Sequence, residues 1–86
     1  MNKPKLSIII PAYNEINTIQ DLINKVNDIR IEKQLIVVDD NSNDGTQKVI
    51  LSNKYKIDKI IFHENNKGKG AAIKSAQKFV NGKYVI

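Results

Sequence analysis

Three polar clusters in this 86-residue sequence hold residue types that can do ligand chemistry. The first is Pro11-Ala12-Tyr13-Asn14-Glu15. A tyrosine ring can stack on a base or a ribose, while Asn14 and Glu15 offer hydrogen bonds to hydroxyls. The same residues also suit a loop entering a helix, with Asn14 or Asn17 as its N-cap. The second is Asp39-Asp40, which opens the run Asp39-Asp40-Asn41-Ser42-Asn43-Asp44-Gly45. Two adjacent carboxylates need water, a metal or hydrogen-bond donors around them. Successive residues of an extended segment point opposite ways, which argues against a paired acid and base. Either one carboxylate accepts from a ligand and the other from the turn backbone, or both organise the turn with Ser42 and Asp44. The third cluster is Asn66-Lys67-Gly68-Lys69-Gly70-Ala71-Ala72. Glycines ahead of a helix start let backbone N–H groups approach an anion, and the lysines add positive charge. Ile73 stands where a dinucleotide fingerprint has its third glycine, and no P-loop spacing is present. Phosphate binding and a plain turn therefore both stay open. His63 is the only histidine, with no second histidine or cysteine at ligand spacing, which argues against zinc. It is expected to be a strand-end residue satisfied by a backbone group.

An alternating pattern of elements positions these clusters. Lys5 to Ile10 is a continuous apolar run, which suits a strand buried on both faces, and Pro11 is expected to end it. Ile16, Ile19, Leu22, Ile23, Val26 and Ile29 recur at amphipathic-helix spacing. Leu35 to Val38 reads as a second buried strand. The polar run after it is a turn, with Asp44 starting a helix over about 46–53 and Gln47 as its capping-box partner. Lys59 to His63 reads as a third strand. A third helix is expected over 69–80, with Ala72, Ile73, Ala76, Phe79 and Val80 facing inward and Asn81-Gly82 closing it. Tyr84-Val85-Ile86 opens a fourth strand. The fold class is therefore α/β, a Rossmann-like β-α-β-α-β-α-β unit with a mostly parallel sheet covered on both faces. All three polar clusters follow strands, so they should gather on one rim, where such sheets bind ligands.

Composition sets the bounds. At 41% hydrophobic and 27% charged the chain is globular, and its length supports a single core, read as one domain over 1–86. The net charge of +5 is carried by scattered lysines, with Arg30 the only arginine. Such a surface favours anionic partners, but it lacks the aromatic stripe of a nucleic-acid binder. With no cysteine, disulfides and thiolate metal sites are excluded, which fits a reducing, cytoplasmic setting. The apolar run at Leu6–Ile10 is too short for a signal-peptide core or a membrane span.

Taken together, Ser7–Glu15 (SIIIPAYNE), Leu35–Thr46 (LIVVDDNSNDGT) and Asn65–Ala72 (NNKGKGAA) resemble the family-2 glycosyltransferases of GT-A fold. The nearest members are the polyprenyl-phosphate and dolichol-phosphate sugar transferases. The resemblance covers essentially the whole chain. It implies transfer of a sugar from a UDP- or GDP-sugar to an acceptor, either a lipid phosphate or a saccharide, with Mg²⁺ or Mn²⁺ neutralising the leaving diphosphate. It also implies roles for single residues. Pro11, Ala12 and Tyr13 would wrap the nucleoside, with Glu15 near the ribose or base. Asp40 would accept from the base ring N–H while Asp39 supports the turn. Lys69 and Lys67 would lie near the base or diphosphate. In the family, the strand matching 83–86 leads into an Asp-x-Asp metal motif. Residues 1–86 are therefore expected to carry the nucleotide-binding half, with no metal ligand and no catalytic base among them, to bind nucleotide weakly if at all, and to be inactive alone. The parent protein is expected at the cytoplasmic face of the membrane, and self-association through an exposed sheet edge is expected too.

Two other readings compete. Val37-Val38-Asp39-Asp40-Asn41 is similar to the acidic start of response-regulator receivers, but there the pair follows the first strand, and His63-Glu64 stands where the phospho-accepting aspartate belongs. A non-catalytic nucleotide-binding or scaffolding module would share every binding residue named above.

Overall fold

The computed structural model describes residues 4–82 and 84–85. Eight elements follow one another: β1 (Leu6–Ala12), α1 (Ile19–Asn27), β2 (Lys33–Asp39), α2 (Thr46–Ser52), a 3₁₀ turn (Lys54–Lys56), β3 (Lys59–Phe62), α3 (Lys69–Gln77) and β4 (Tyr84–Val85). The strands form one sheet in the order β3-β2-β1-β4, every pair parallel. This is the alternation that the sequence implies, with the fourth strand beside the first. Ile86, the third residue of the expected fourth strand, lies outside the described residues.

Both faces of the sheet are covered. Ile8, Ile10, Leu35 and Val37 pack on one side with Ile19, Ile23 and Val26 of α1 and Ile50 of α2. Ile36 and Val38 meet Ala72 and Ala76 of α3 on the other. The small alanines let α3 approach the sheet closely, while α1 and α2 present branched side chains. Burial on both faces explains why the strands read as continuous apolar runs rather than as alternating ones.

Several boundaries differ from expectation. Pro11 does not end β1, which runs on to Ala12 in register with Asp39. β4 lies beside Leu6 and Ser7 alone, so among the described residues Pro11 has no strand on its outer side that needs its missing N–H. Asp44 does not cap α2. Gly45 takes the N-cap position in a left-handed conformation, and Gln47 donates to Asp39 instead of closing a capping box. Helix α3 ends at Gln77, leaving Phe79 exposed with the Lys59 ammonium 4.4 Å from its ring centre.

Gly82 is a glycine because of a close approach, not a helix end. A Cβ there would lie 2.5 Å from Ser7 Oγ and 2.6 Å from Ser7 N. Its N–H donates to Ser7 Oγ, which donates to Gln34 Oε1, and Gln34 Nε2 reaches the Phe79 carbonyl. This buried polar chain ties the end of α3 to β1 and β2 just before β4 begins. A Gly82→Ala variant is expected to lose about 2 kcal/mol in denaturant unfolding, because part of the clash is with backbone. A loss under a few tenths of a kcal/mol would show that the approach relaxes freely.

Candidate functional site

The sequence of strands β1, β2, β3 proceeds in one direction across the sheet, and the chain then returns to place β4 on the far side of β1. Connections therefore diverge between β1 and β4, the position at which open parallel sheets form a crevice at their carboxyl ends. A cavity of about 600 Å³ runs along the outer edge of β1 from Ile8 to Ala12, past the positions that the described part of β4 covers, and reaches the carboxyl ends of β1 and β2. Its floor is apolar, built from Ile8, Ile9 and Ile10 with Leu22, Val26, Ala72 and Ile73. Pro11, Ala12, Tyr13, Glu15, Asp40 and Lys69 also line it, the last four adding polar groups. Of the eight residues named from sequence, Asp39 and Lys67 do not line it.

The two adjacent aspartates do different things. Asp39 ends β2 fully buried. Its carboxylate accepts from Ser42 N–H at 2.9 Å, Ser42 Oγ at 2.6 Å and Gln47 Nε2 at 2.8 Å, so it holds its own turn. Asp40 faces the other way and holds the loop after β3. Oδ1 accepts from Lys67 N–H and Oδ2 from Gly68 N–H, each at 2.8 Å. Gly68 meets it at a φ of 93°, a backbone region that glycine enters without strain. Lys67 thus serves Asp40 through its backbone while its side chain stays exposed.

A third carboxylate ties in the loop after β1. Asp44 accepts from Ile16 N–H and from both N–H and hydroxyl of Thr46. Beside it, Asn14 N–H donates to Ser42 Oγ at 2.8 Å, Asn14 Oδ1 accepts from Asn43 N–H at 2.9 Å, and Glu15 N–H donates to Thr46 Oγ1 at 2.9 Å. Asn14 sits at a φ of 51°, which asparagine tolerates better than most residues. Thr18 takes the N-cap position of α1, so neither Asn14 nor Asn17 caps it. Tyr13 and Glu15 are thereby held at the rim while their side chains remain exposed.

His63 contributes more than the sequence suggested. It is buried, but its ring bonds side chains and not a backbone group. Nδ1 lies 2.8 Å from Asp40 Oδ1 and Nε2 lies 2.8 Å from Ser75 Oγ of α3. The signal was in the register: Asp39 pairs with Phe62, so the next residues along, Asp40 and His63, emerge side by side. Burial tends to raise the Asp40 carboxyl, but the Lys67, His63 and Gly68 donors outweigh it and hold the carboxyl below its ordinary value. Asp44 is lowered as well, the Thr46 and Ile16 donors outweighing desolvation.

Among the described residues, no group of three or more histidines, cysteines, aspartates or glutamates stands ready to hold a metal ion. The carboxylates of the second cluster are turned toward protein donors. The residues present do not fit the divalent cation that the resemblance implies. No helix among them is long and apolar enough to cross a membrane.

The family model of glycosyl transferase family 2 matches residues 7–86. The chain belongs to that family. This family-2 chain is 32% identical over 94 residues to a dolichyl-phosphate beta-glucosyltransferase of Dictyostelium discoideum, covering 94% of itself and 29% of that protein. It is 32% identical over 83 residues to a poly-beta-1,6-N-acetyl-D-glucosamine synthase of Staphylococcus epidermidis, covering 94% of itself and 20% of that protein. It therefore spans less than a third of the length of either relative. Its fold is similar to that of S. aureus TarS 1-349 in complex with UDP-GlcNAc. The TM-score is 0.86 at 30% identity, over 95% of this chain and 25% of that one. The GT-A expectation from sequence is met at the level of fold.

Proposed function

We propose that residues 1–86 form the nucleotide-binding part of an enzyme that transfers a sugar from a nucleoside-diphosphate sugar to an acceptor. The observation that carries this reading is the convergence of Tyr13, Glu15, Asp40 and Lys69 on one apolar-floored cavity at the switch point of a parallel sheet. Pro11, Ala12 and Tyr13 would wrap the nucleoside, and Asp40 would accept the ring N–H of its base. Glu15 would take ribose hydroxyls. Lys69, at the first turn of α3, would face the diphosphate, with the helix N-terminus adding its partial positive charge. Lys67 would add charge from the rim. The bound UDP-GlcNAc of TarS supports the same class of ligand here. The acceptor, a lipid phosphate or a saccharide, and a cytoplasmic setting belong to the same proposal.

Calorimetric titration of the protein with UDP, GDP and CDP, with and without Mn²⁺, tests it. Saturable binding of a base that carries a ring N–H, unchanged by Mn²⁺, is the expected result. CDP is expected to fail, because its ring nitrogen is an acceptor and would face the Asp40 carboxylate. No binding of any nucleotide by folded protein would remove the reading. Light scattering on the same samples reads self-association through the outer edge of β1, and a constant monomer mass across concentration would remove that part.

A further inference from the structure

Tyr13 and Glu15 line the cavity, and Asn14 between them does not. It meets the turn after β2 instead, and meets it twice. Its N–H donates to Ser42 Oγ at 2.8 Å, and its Oδ1 accepts from Asn43 N–H at 2.9 Å. A backbone N–H can only donate, which fixes the carboxamide with its oxygen toward the turn. Ser42 Oγ in turn donates to the buried Asp39 carboxylate at 2.6 Å, so the loop after β1 is tied to the end of β2. Asn14 also takes a φ of 51°, which glycine, asparagine and aspartate adopt more readily than other residues. Of these, glycine has no side-chain acceptor for Asn43.

The place of this latch decides what it controls. β1 ends at Ala12, paired with Asp39, and Tyr13 alone separates that residue from Asn14. From Glu15 onward the chain has anchors of its own, Glu15 N–H on Thr46 Oγ1 and Ile16 N–H on Asp44. Tyr13 is therefore held between two fixed points while its side chain is 46% exposed. Asp40 belongs to the same turn that Asn14 grips. We propose that Asn14 is a positioning residue for nucleotide binding, its carboxamide holding Tyr13 in place relative to Asp40 without touching the ligand. The inference rests on the nucleotide reading above and deepens it. A loop left unlatched must be ordered when the ligand arrives, and that cost is subtracted from affinity.

The test is calorimetric affinity for the tighter-binding of UDP and GDP in the wild type, Asn14→Gly and Asn14→Asp, with circular dichroism to confirm the fold. Glycine keeps the φ and the N–H bond to Ser42 but loses the Oδ1 contact, and should weaken binding by about tenfold, the order of one hydrogen bond. Aspartate keeps an acceptor there and should bind within about threefold of the wild type. In a Tyr13→Ala background, Asn14→Gly should cost no more than about twofold, because the side chain it positions is gone. A general loosening of the fold would cost the same in both backgrounds. Folded Asn14→Gly that binds as tightly as the wild type overturns the proposal. So does an undiminished loss in the Tyr13→Ala background, or an aspartate variant as weak as the glycine one. Failure of both nucleotides to bind the wild type instead overturns the nucleotide reading, and this inference with it.

Discussion

An Asp40→Asn variant is expected to bind UDP at least about a hundredfold more weakly than the wild type and to lose about 2–3 kcal/mol of stability, each near the worth of one or two charge-assisted hydrogen bonds. The substitution keeps the shape of the side chain and changes only what it can accept. If the carboxamide oxygen turns toward His63 and Lys67, its NH₂ meets the Gly68 N–H and the incoming ring N–H, and donors face donors. If it turns the other way, the His63 and Lys67 donors are left facing the amide. Either way the loop over 63–68 loosens. The variant should also lose a pH dependence. The Asp40 carboxyl is held below its ordinary value of 3.8, burial being outweighed by the Lys67, His63 and Gly68 donors. A carboxyl lowered in the folded state stabilises fully above its unfolded value, and that contribution disappears as the pH falls through the folded one. Denaturant unfolding at pH 7 and again near pH 3 should therefore show a loss in the wild type that is smaller in the variant. Unchanged UDP affinity in Asp40→Asn would mean that the base does not meet this carboxylate.

Much of the fold was legible because each strand is buried on both faces, so its apolar run is continuous and hard to mistake. Placing all three polar clusters after strands was enough to put them on one rim. What the sequence hid were the places where a residue's partner lies far along the chain. Asp44 has the look of a helix cap, and its neighbour Gln47 completes the local motif. Yet Asp44 holds Thr46 with one oxygen and reaches Ile16 N–H of another loop with the other, and Gln47 donates to the buried Asp39 carboxylate, so neither residue closes the local motif. Pro11 reads as a strand end because its missing N–H is a liability in the middle of a sheet, and nothing local says that among the described residues no strand flanks its outer side. His63 looked inert since no ligand set surrounds it in sequence, whereas its partners Asp40 and Ser75 are brought to it by strand register and by α3.

The same contacts show how the rim is built. Asp39 fixes the turn after β2, Asp40 fixes the loop after β3, and Asp44 with Asn14 fixes the loop after β1. Three carboxylates from one short segment thus hold all three loops, through backbone N–H groups together with the side chains of Ser42, Thr46, Gln47 and His63. Tyr13 and Lys69 face solvent while their neighbours' backbones are committed, and the Glu15 carboxylate accepts from Thr18 Oγ1 at 3.0 Å.

Asp39→Ala is expected to be the most damaging single change in this framework for stability, lowering the unfolding free energy by about 4 kcal/mol. The carboxylate is fully buried, and its removal takes away the acceptor of the Ser42 N–H, the Ser42 hydroxyl and the Gln47 amide. An unpartnered buried donor costs about 1–3 kcal/mol, so three of them account for the figure even after Ser42 turns its hydroxyl elsewhere. The loss should spread, since Ser42 Oγ is also the acceptor for Asn14 N–H and so for the loop that carries Tyr13 and Glu15. Small single domains have only about 5–15 kcal/mol in all, which makes this a large share. Urea unfolding followed by circular dichroism measures it, and a change below about 1 kcal/mol would show that the turn holds without Asp39. Comparison with Asp40 then separates the two carboxylates by role. In Asp39→Ala stability should fall first, and nucleotide affinity should return toward the wild-type value when folding is restored by lower temperature or a stabilising osmolyte. In Asp40→Asn affinity should stay lost in fully folded protein, because the acceptor itself is gone.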